Sequence, residues 1–284
     1  MHDTSPQPQE YIDLHIHTNY SDGTYSPSEV VHQASRIGLR AISITDHDTV
    51  DGIEEAMNAA RDLSLEIIPG IELSADDGNN QMHILGYYID WRNPTFNAQL
   101  TELSDDRLNR ARSIVDKLNQ IGVKIDFNEV MNISGKGTVG RMHIAQAMKK
   151  KGIVNTVQES FNKYIGNGRS AYTAKYKLRP GEAIKLIKDS GGVSVVAHPG
   201  LLKRQAIIEE LIDLGLDGIE VYHTDHKPAA VKKYLLVAAA HNLIVSGGSD
   251  CHGLGKDKML MGTVKVPYDV LERMKIKWTN NENS

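Results

Sequence analysis

The chain has 284 residues, of which 40% are hydrophobic and 24% charged, with 32 Lys plus Arg against 36 Asp plus Glu and a formal net charge of −4. That balance excludes a broad basic surface for duplex nucleic acid, and one cysteine excludes an internal disulfide framework and suits a reducing, cytoplasmic setting. No run approaches the roughly 20 apolar residues of a membrane span, and residues 1–10 are polar, without the apolar core of a secretory signal.

Strands and helices alternate from Tyr11 to Trp91. Tyr11–His17 reads as a strand, and Pro27-Ser28-Glu29 opens a helix whose Val30, Val31, Ala34 and Ile37 recur at helical spacing before Gly38 ends it. Ile42–Thr45 is the next strand, Gly52–Leu63 the next helix and Glu66–Ile71 a third strand. The turn Asp76–Asn80 then returns the chain through Met82–Tyr88. From Asn97 to Tyr172 the pattern turns helical: Leu100 to Ile121 marks one amphipathic helix, with others at Phe127–Ile133, Val139–Lys150 and Val154–Tyr164. Alternation resumes with helix Gly181–Ser190, strand Val193–Ala197, helix Ile207–Leu214, strand Gly218–Val221, helix Pro228–His241 and strand Ile244–Ser246, and the polar tail Thr279–Ser284 is expected to fray. The expected organisation is therefore α/β, with a barrel of residues 1–96 and 173–284 interrupted by a helical insert, residues 97–172.

The β-branched runs read as buried parallel strands, and each carries a histidine or carboxylate at its end: His15, His17, His47, Glu72, His83, His198, Asp250 and His252, with Asp22 close behind the first. The carboxyl ends of parallel strands are where α/β barrels place their chemistry. His15 and His17, two apart on a strand, point the same way; so do Asp250 and His252 if the backbone there is extended, with Cys251 turned away as a buried thiol. Nine such donors exceed what one ion accepts, so two or three divalent cations sharing a bridging carboxylate are expected. Imidazole and carboxylate without thiolate suit Mn²⁺, Fe²⁺ or Zn²⁺, with Mn²⁺ foremost. Such a cluster generates hydroxide at neutral pH and clamps the oxygens of an in-line displacement, so hydrolysis of a phosphoester is the expected reaction.

These motifs together resemble the polymerase-and-histidinol-phosphatase (PHP) family: His15-x-His17 with Ser21-Asp22-Gly23, Thr45-Asp46-His47-Asp48, Gly70-Ile71-Glu72, His83, Ala197-His198-Pro199 and Gly248-Ser249-Asp250-Cys251-His252. The resemblance implies a distorted (β/α)7 barrel holding up to three metals. It implies one metal on His15, His17, Glu72 and Asp250, a second on Glu72, His83 and His198, and a third on Asp22, His47 and His252. Asp22 stands where histidinol-phosphate phosphatases of the family often have histidine. Val139-Gly140-Arg141-Met142-His143-Ile144-Ala145 and Gly166-Asn167-Gly168-Arg169-Ser170-Ala171-Tyr172 resemble the branch that removes the 3′-phosphate of nucleoside 3′,5′-bisphosphates and trims short RNA from its 5′ end, although Met142 replaces a usual proline.

The expected protein is thus a metal-dependent phosphatase acting through a metal-bridging hydroxide, with a nucleotide or short oligonucleotide as substrate and no duplex DNA, membrane or obligate protein partner. The alternatives, in order, are a 5′-to-3′ exoribonuclease, a histidinol-phosphate phosphatase and a non-catalytic metal-holding module. Glu72 and Asp250 are the expected catalytic carboxylates. Gly140-Arg141 opening a helix offers backbone N–H groups and a guanidinium fork to a phosphate. Arg169, Lys175 and Lys177 are further substrate candidates where the insert rejoins the barrel. Arg107, Arg110 and Arg112 read in part as surface charges of an amphipathic helix, Arg110 with reach inward. His223 and His226 follow a strand: either touches substrate or protonates a leaving oxygen, or is an ordinary hydrogen-bonded loop histidine. His2, His32, His143 and His241 are assigned the ordinary role.

Overall fold

The structure is a computed structural model, and it describes residues 10–78, 80–135, 137, 139–174, 178–256 and 259–282. Strands β1 (Tyr11–Ile16), β2 (Ala41–Ile44), β3 (Glu66–Asp76), β4 (Gln81–Tyr87), β5 (Val193–Val196), β6 (Gly218–His223), β7 (Ile244–Gly248) and β8 (Val266–Pro267) form one sheet in the order β7-β6-β5-β4-β3-β2-β1-β8. The sheet curls until its ends nearly meet. Ile16 bridges Cys251 in parallel, and the His17 N–H donates to the Cys251 carbonyl at 2.9 Å. Gly248 makes that closure possible, because a Cβ there would stand 2.4 Å from the His15 backbone nitrogen. The Tyr87 hydroxyl reaches across the interior, donating to the Leu14 carbonyl at 3.0 Å and lying 3.0 Å from Ser246 Oγ, so β4 is tied to β1 and β7.

Two strands depart from the expected parallel arrangement. β8, a short strand not anticipated from the sequence, runs antiparallel to β1. β4 runs antiparallel to both β3 and β5. The tight return at Asp76–Gln81 explains it, since a short turn joins antiparallel neighbours and a parallel pair needs a long crossover. His83 therefore lies near the beginning of its strand, which is the end that shares a face with the carboxyl ends of β2 and β5.

Helices α1 (Pro27–Arg36) and α2 (Ile53–Ala59) follow the first two strands. Ser26 and Glu29 form a capping box that starts α1, with Pro27 in its first turn. Between β4 and β5 come α3 (Pro94–Gln120), α4 (Phe127–Ser134), α5 (Arg141–Lys150) and α6 (Val157–Ser160), the last continued by one π-helical turn, Phe161–Ile165. The first part of α3 packs Phe96, Leu100 and Leu103 into the barrel's outer core. Farther along, Ala111, Ile114, Val115 and Leu118 join Val130, Ile144, Met148 and Ile165 in a separate apolar cluster. Gly137, between α4 and α5, rests against the barrel loop: a Cβ there would be 2.8 Å from the carbonyls of Asn19 and Ser21.

Helices α7 (Pro180–Asp189), α8 (Ile207–Asp213), α9 (Pro228–Ala240) and α10 (Asp269–Glu282) complete the chain. The tail expected to fray from Thr279 is helical as far as Glu282, and residues 283–284 lie outside the described residues. Val270, Leu271 and Met274 bury one face of α10, while Trp278 stacks on Tyr88 at 4.7 Å and donates to the Gly191 carbonyl at 3.0 Å.

Candidate active site

Glu72, on β3 and 1% exposed, is the hub. Its Oε1 lies 2.8 Å from His83 Nδ1 and 3.1 Å from His198 Nε2; its Oε2 lies 3.1 Å from both His17 Nε2 and His47 Nδ1, and 3.4 Å from His15 Nε2. Asp250 Oδ1 stands 3.2 Å from His17 Nε2 and 3.5 Å from His15 Nε2. Asp22 meets His252 Nε2 at 3.2 Å, His17 Nδ1 at 3.8 Å and His47 Nε2 at 3.9 Å. All nine strand-end donors thus gather at one end of the barrel.

The donor chemistry fits divalent cations. Among the described residues, His15 Nε2, His17 Nε2, His47 Nδ1, Asp22 Oδ1 and Glu72 Oε2 are buried without a hydrogen-bond partner, a cost that protein interiors rarely accept without another use for the atom. Two ligands each about 2.1 Å from a shared ion stand roughly 3.0–3.5 Å apart, the spacing seen around Glu72 and Asp250. Among the described residues, four groupings have donor atoms within 4.8 Å of one another: His17 with Asp22, His47 and His252; His15 with His17 and Asp250; His15 with Glu72 and His198; and His47 with Glu72 and His83. Electrostatics agree. Burial pushes Glu72 up, but His83, His47 and His15 outweigh it and hold the carboxyl well below its usual range. Asp250 is likewise lowered against burial by His15 and His17, and Asp22 by His47 and His252. The carboxylates stay ionised, as cation ligands must.

Several contributors were not anticipated. Glu220, fully buried on β6, contacts His15 Nδ1 at 2.9 Å and accepts the His198 N–H at 2.6 Å, so one carboxylate orients two histidines. His198 itself has φ +29, a strained value that this bond helps to hold. Asp46 accepts from the Thr18 N–H at 2.7 Å, Thr18 Oγ1 at 2.6 Å and Ser21 Oγ at 2.5 Å, which shapes the loop leading to Asp22. An acidic residue inside a β-branched run was the available signal in each case. The backbone at Asp250 is not extended: its φ is +52, and this left-handed bend turns Asp250 toward the cluster while Cys251 packs outward, 3.5 Å from Met259 Sδ.

Beside the cluster lies a cavity of about 180 Å³. Asp22, His47 and His83 form its floor; Arg107 and Arg110 of α3 and Arg141 of α5 line its wall, with Met142 and His143. Arg141 is held by Asn167 Oδ1 at 3.2 Å and lies over the Phe161 ring. Arg110 donates through Nε to the Thr173 carbonyl at 2.9 Å, its Nη2 is buried without a partner among the described residues, and burial together with Arg141 lowers its pKa to about 10. His143 keeps a structural role, accepting the Gly140 N–H on Nδ1 at 3.1 Å, but it is buried at the cavity wall.

The other candidates separate. His223 joins the cluster, with Nε2 at 3.8 Å from Asp250 Oδ2. His226 does not; its Nδ1 meets the Val221 carbonyl at 2.8 Å and its Nε2 accepts the Gly200 N–H at 3.1 Å. Arg169 is exposed on a turn and is not among the cavity's lining residues. Lys175 and Lys177 lie outside the described residues.

Known proteins share this architecture. The PHP domain family matches residues 13–101. A 3′,5′-nucleoside bisphosphate phosphatase of Chromobacterium violaceum is 33% identical over 251 residues, 86% of this chain and 88% of that protein. The 5′-3′ exoribonuclease Rnm of Salmonella typhimurium is 31% identical over 247 residues, 84% of either protein. A solved structure from Bifidobacterium adolescentis, assigned as a metal-dependent phosphoesterase, superposes with a TM-score of 0.84 at 32% identity, covering 94% of this chain and 96% of that one. Fold, site and these likenesses define a metal-dependent phosphoric-ester hydrolase. The chain belongs to the PHP family.

Proposed function

We propose that this enzyme removes the 3′-phosphate of nucleoside 3′,5′-bisphosphates, using the nine clustered donors to hold two to three divalent cations, Mn²⁺ foremost. The observation that carries the reading is the cavity whose floor is the Asp22–His47–His83 edge of the cluster and whose wall is arginine. One face of that space suits the reacting phosphate and the other a second anion. In this reading His15, His17, Glu72 and Asp250 hold one cation, Glu72, His83 and His198 a second, and Asp22, His47 and His252 a third. Cations so held supply a water-derived nucleophile at neutral pH and neutralise the phosphoryl oxygens.

The chain's own groups do the rest. Arg141, braced by Asn167, grips the non-reacting 5′-phosphate. His223 Nδ1 accepts the Asp225 N–H at 3.1 Å, so the neutral ring carries its proton on Nε2. That buried Nε2–H faces Asp250, where it can donate a hydrogen bond to a leaving oxygen that takes its proton from water. Arg169 and His226 are assigned no substrate contact. Residues 97–172 serve as a cap domain on the barrel of residues 1–96 and 173–284, excluding bulk water from the cavity. No described helix is long and apolar enough to cross a membrane, and the free thiol of Cys251 suits the cytoplasm, to which we assign the enzyme.

A second reading, exoribonuclease action on short 5′-phosphorylated RNA, is favoured by the near-equal likeness to the Salmonella enzyme. It uses the same site, because in both substrates the bond broken is at the phosphorus on the 3′-oxygen of a nucleotide bearing a 5′-phosphate. Phosphate or nucleotide release with Mn²⁺ across nucleoside bisphosphates, short oligonucleotides and histidinol phosphate tests both. Preference for histidinol phosphate, or turnover of none of the three, would overturn them.

A further inference from the structure

Arg107 lines the cavity, yet its guanidinium is directed into the barrel rather than toward the open space. Its Nη2 donates to the Asp48 carboxylate and to Ser74 Oγ at 2.8 Å. Asp48 directly follows His47, is 2% exposed, and takes φ +54, a left-handed conformation unfavourable for a residue with a Cβ. Its N–H donates to the Glu72 carbonyl at 3.0 Å, and its Oδ1 accepts the Ser74 N–H at 2.7 Å. The His47 loop and the end of the Glu72 strand are therefore stitched together at Asp48. The cation covering that stitch comes from α3, outside the barrel. Above it lies the start of α5: a Cβ on Gly140 would be 3.8 Å from Arg107 Nη1.

We infer that Arg107 is a positioning residue which holds Asp48 in its strained turn and thereby seats His47 against Glu72. A helix beyond the barrel so completes the part of the cluster formed by Asp22, His47 and His252. The physical reason is charge: a buried carboxylate stays in place only while a partner compensates it, and the strained backbone at Asp48 relaxes once that partner leaves. Loss of the guanidinium lets His47 swing away without touching any proposed ligand.

This inference rests on the reading of the cluster as a cation site, and its test is Mn²⁺ binding by equilibrium dialysis without substrate. Arg107→Ala should loosen the weakest bound equivalent roughly 10- to 100-fold, the usual effect of removing a group that orients a ligand. Asp48→Asn should do the same, and the double variant should be no worse than the stronger single one, because both break one linkage. Arg141→Ala, on the same cavity wall, should titrate as wild type. A wild-type titration for Arg107→Ala, with KM raised for the bisphosphate, would overturn the inference and make Arg107 a substrate contact. Should Arg107→Ala not fold, Arg107→Gln keeps length and a donor but not the charge; it must loosen the same equivalent, and a wild-type titration would again overturn the inference. Wild-type protein that bound no Mn²⁺ would instead remove the proposed function itself.

Discussion

Glu72 meets five histidines with two oxygens, and that crowding makes it the most consequential side chain in the molecule. Glu72→Gln keeps its shape but removes the negative charge that bridges the proposed cations. The variant should lose at least one Mn²⁺ equivalent by elemental analysis and activity by orders of magnitude, and full occupancy with normal turnover would contradict the bridging role. Arg141 makes a different prediction because it stands off the cluster, on the cavity wall. Arg141→Ala should lower kcat/KM for nucleoside 3′,5′-bisphosphates roughly 10- to 1000-fold, as expected for losing a charge-assisted contact of about 1.5–4 kcal/mol. Hydrolysis of a small aryl phosphate, which has no second phosphate to grip, should be nearly unchanged; equal losses on both substrates would move Arg141 to the reacting group.

Among the elements, closure of β7 on β1 decides whether the site exists at all. His15 and His17 come from one edge, Asp250 and His252 from the other, and Gly248 sits in the seam. A methyl group 2.4 Å from backbone cannot be absorbed by rotating a side chain, so Gly248→Ala must part the strands. Overpacking of this kind costs about 1–3 kcal/mol, readable as a lower urea midpoint. The same variant should bind Mn²⁺ more weakly, and a variant with unaltered stability and binding would show that the seam tolerates more than its geometry implies. β4 carries the complementary lesson. Its antiparallel course brings His83, near the start of the strand, to within 3.3 Å of His198, just past the end of β5.

At the scale of the whole molecule, a cluster of ionised carboxylates and unpartnered imidazole nitrogens is costly until cations compensate it. Ligands that bind only the folded chain stabilise it by mass action, by about 2.7 kcal/mol at a hundredfold excess over Kd. Adding Mn²⁺ to chelator-treated protein should therefore raise Tm, and the rise should shrink in Glu72→Gln. A Tm indifferent to Mn²⁺ would argue that the cluster binds no cation.

Much of this was legible in the residues themselves. The strand-end donors are local facts: a β-branched run ending in histidine or carboxylate announces itself, and period-two spacing shows that His15 and His17 share a face. The amphipathic spacing of Leu100 to Ile121 likewise announces a long helix, because burying one face needs only its own periodicity. Other features depend on residues far apart in the chain and could be decided only by the tertiary structure. Glu220 looks like any strand carboxylate until β6 lies beside β5 and across from His15. Arg107 looks like a solvated charge on α3 until that helix leans over Asp48, 59 positions away. His226 looks like a substrate contact until the turn after β5 occupies its ring. The left-handed bend at Asp250 arises where β7 must close on β1, a demand that no stretch of nearby sequence expresses. Local chemistry and spacing determined which groups the barrel offers; packing between distant elements decided which are held in place, which are aimed inward, and which are spent on the backbone.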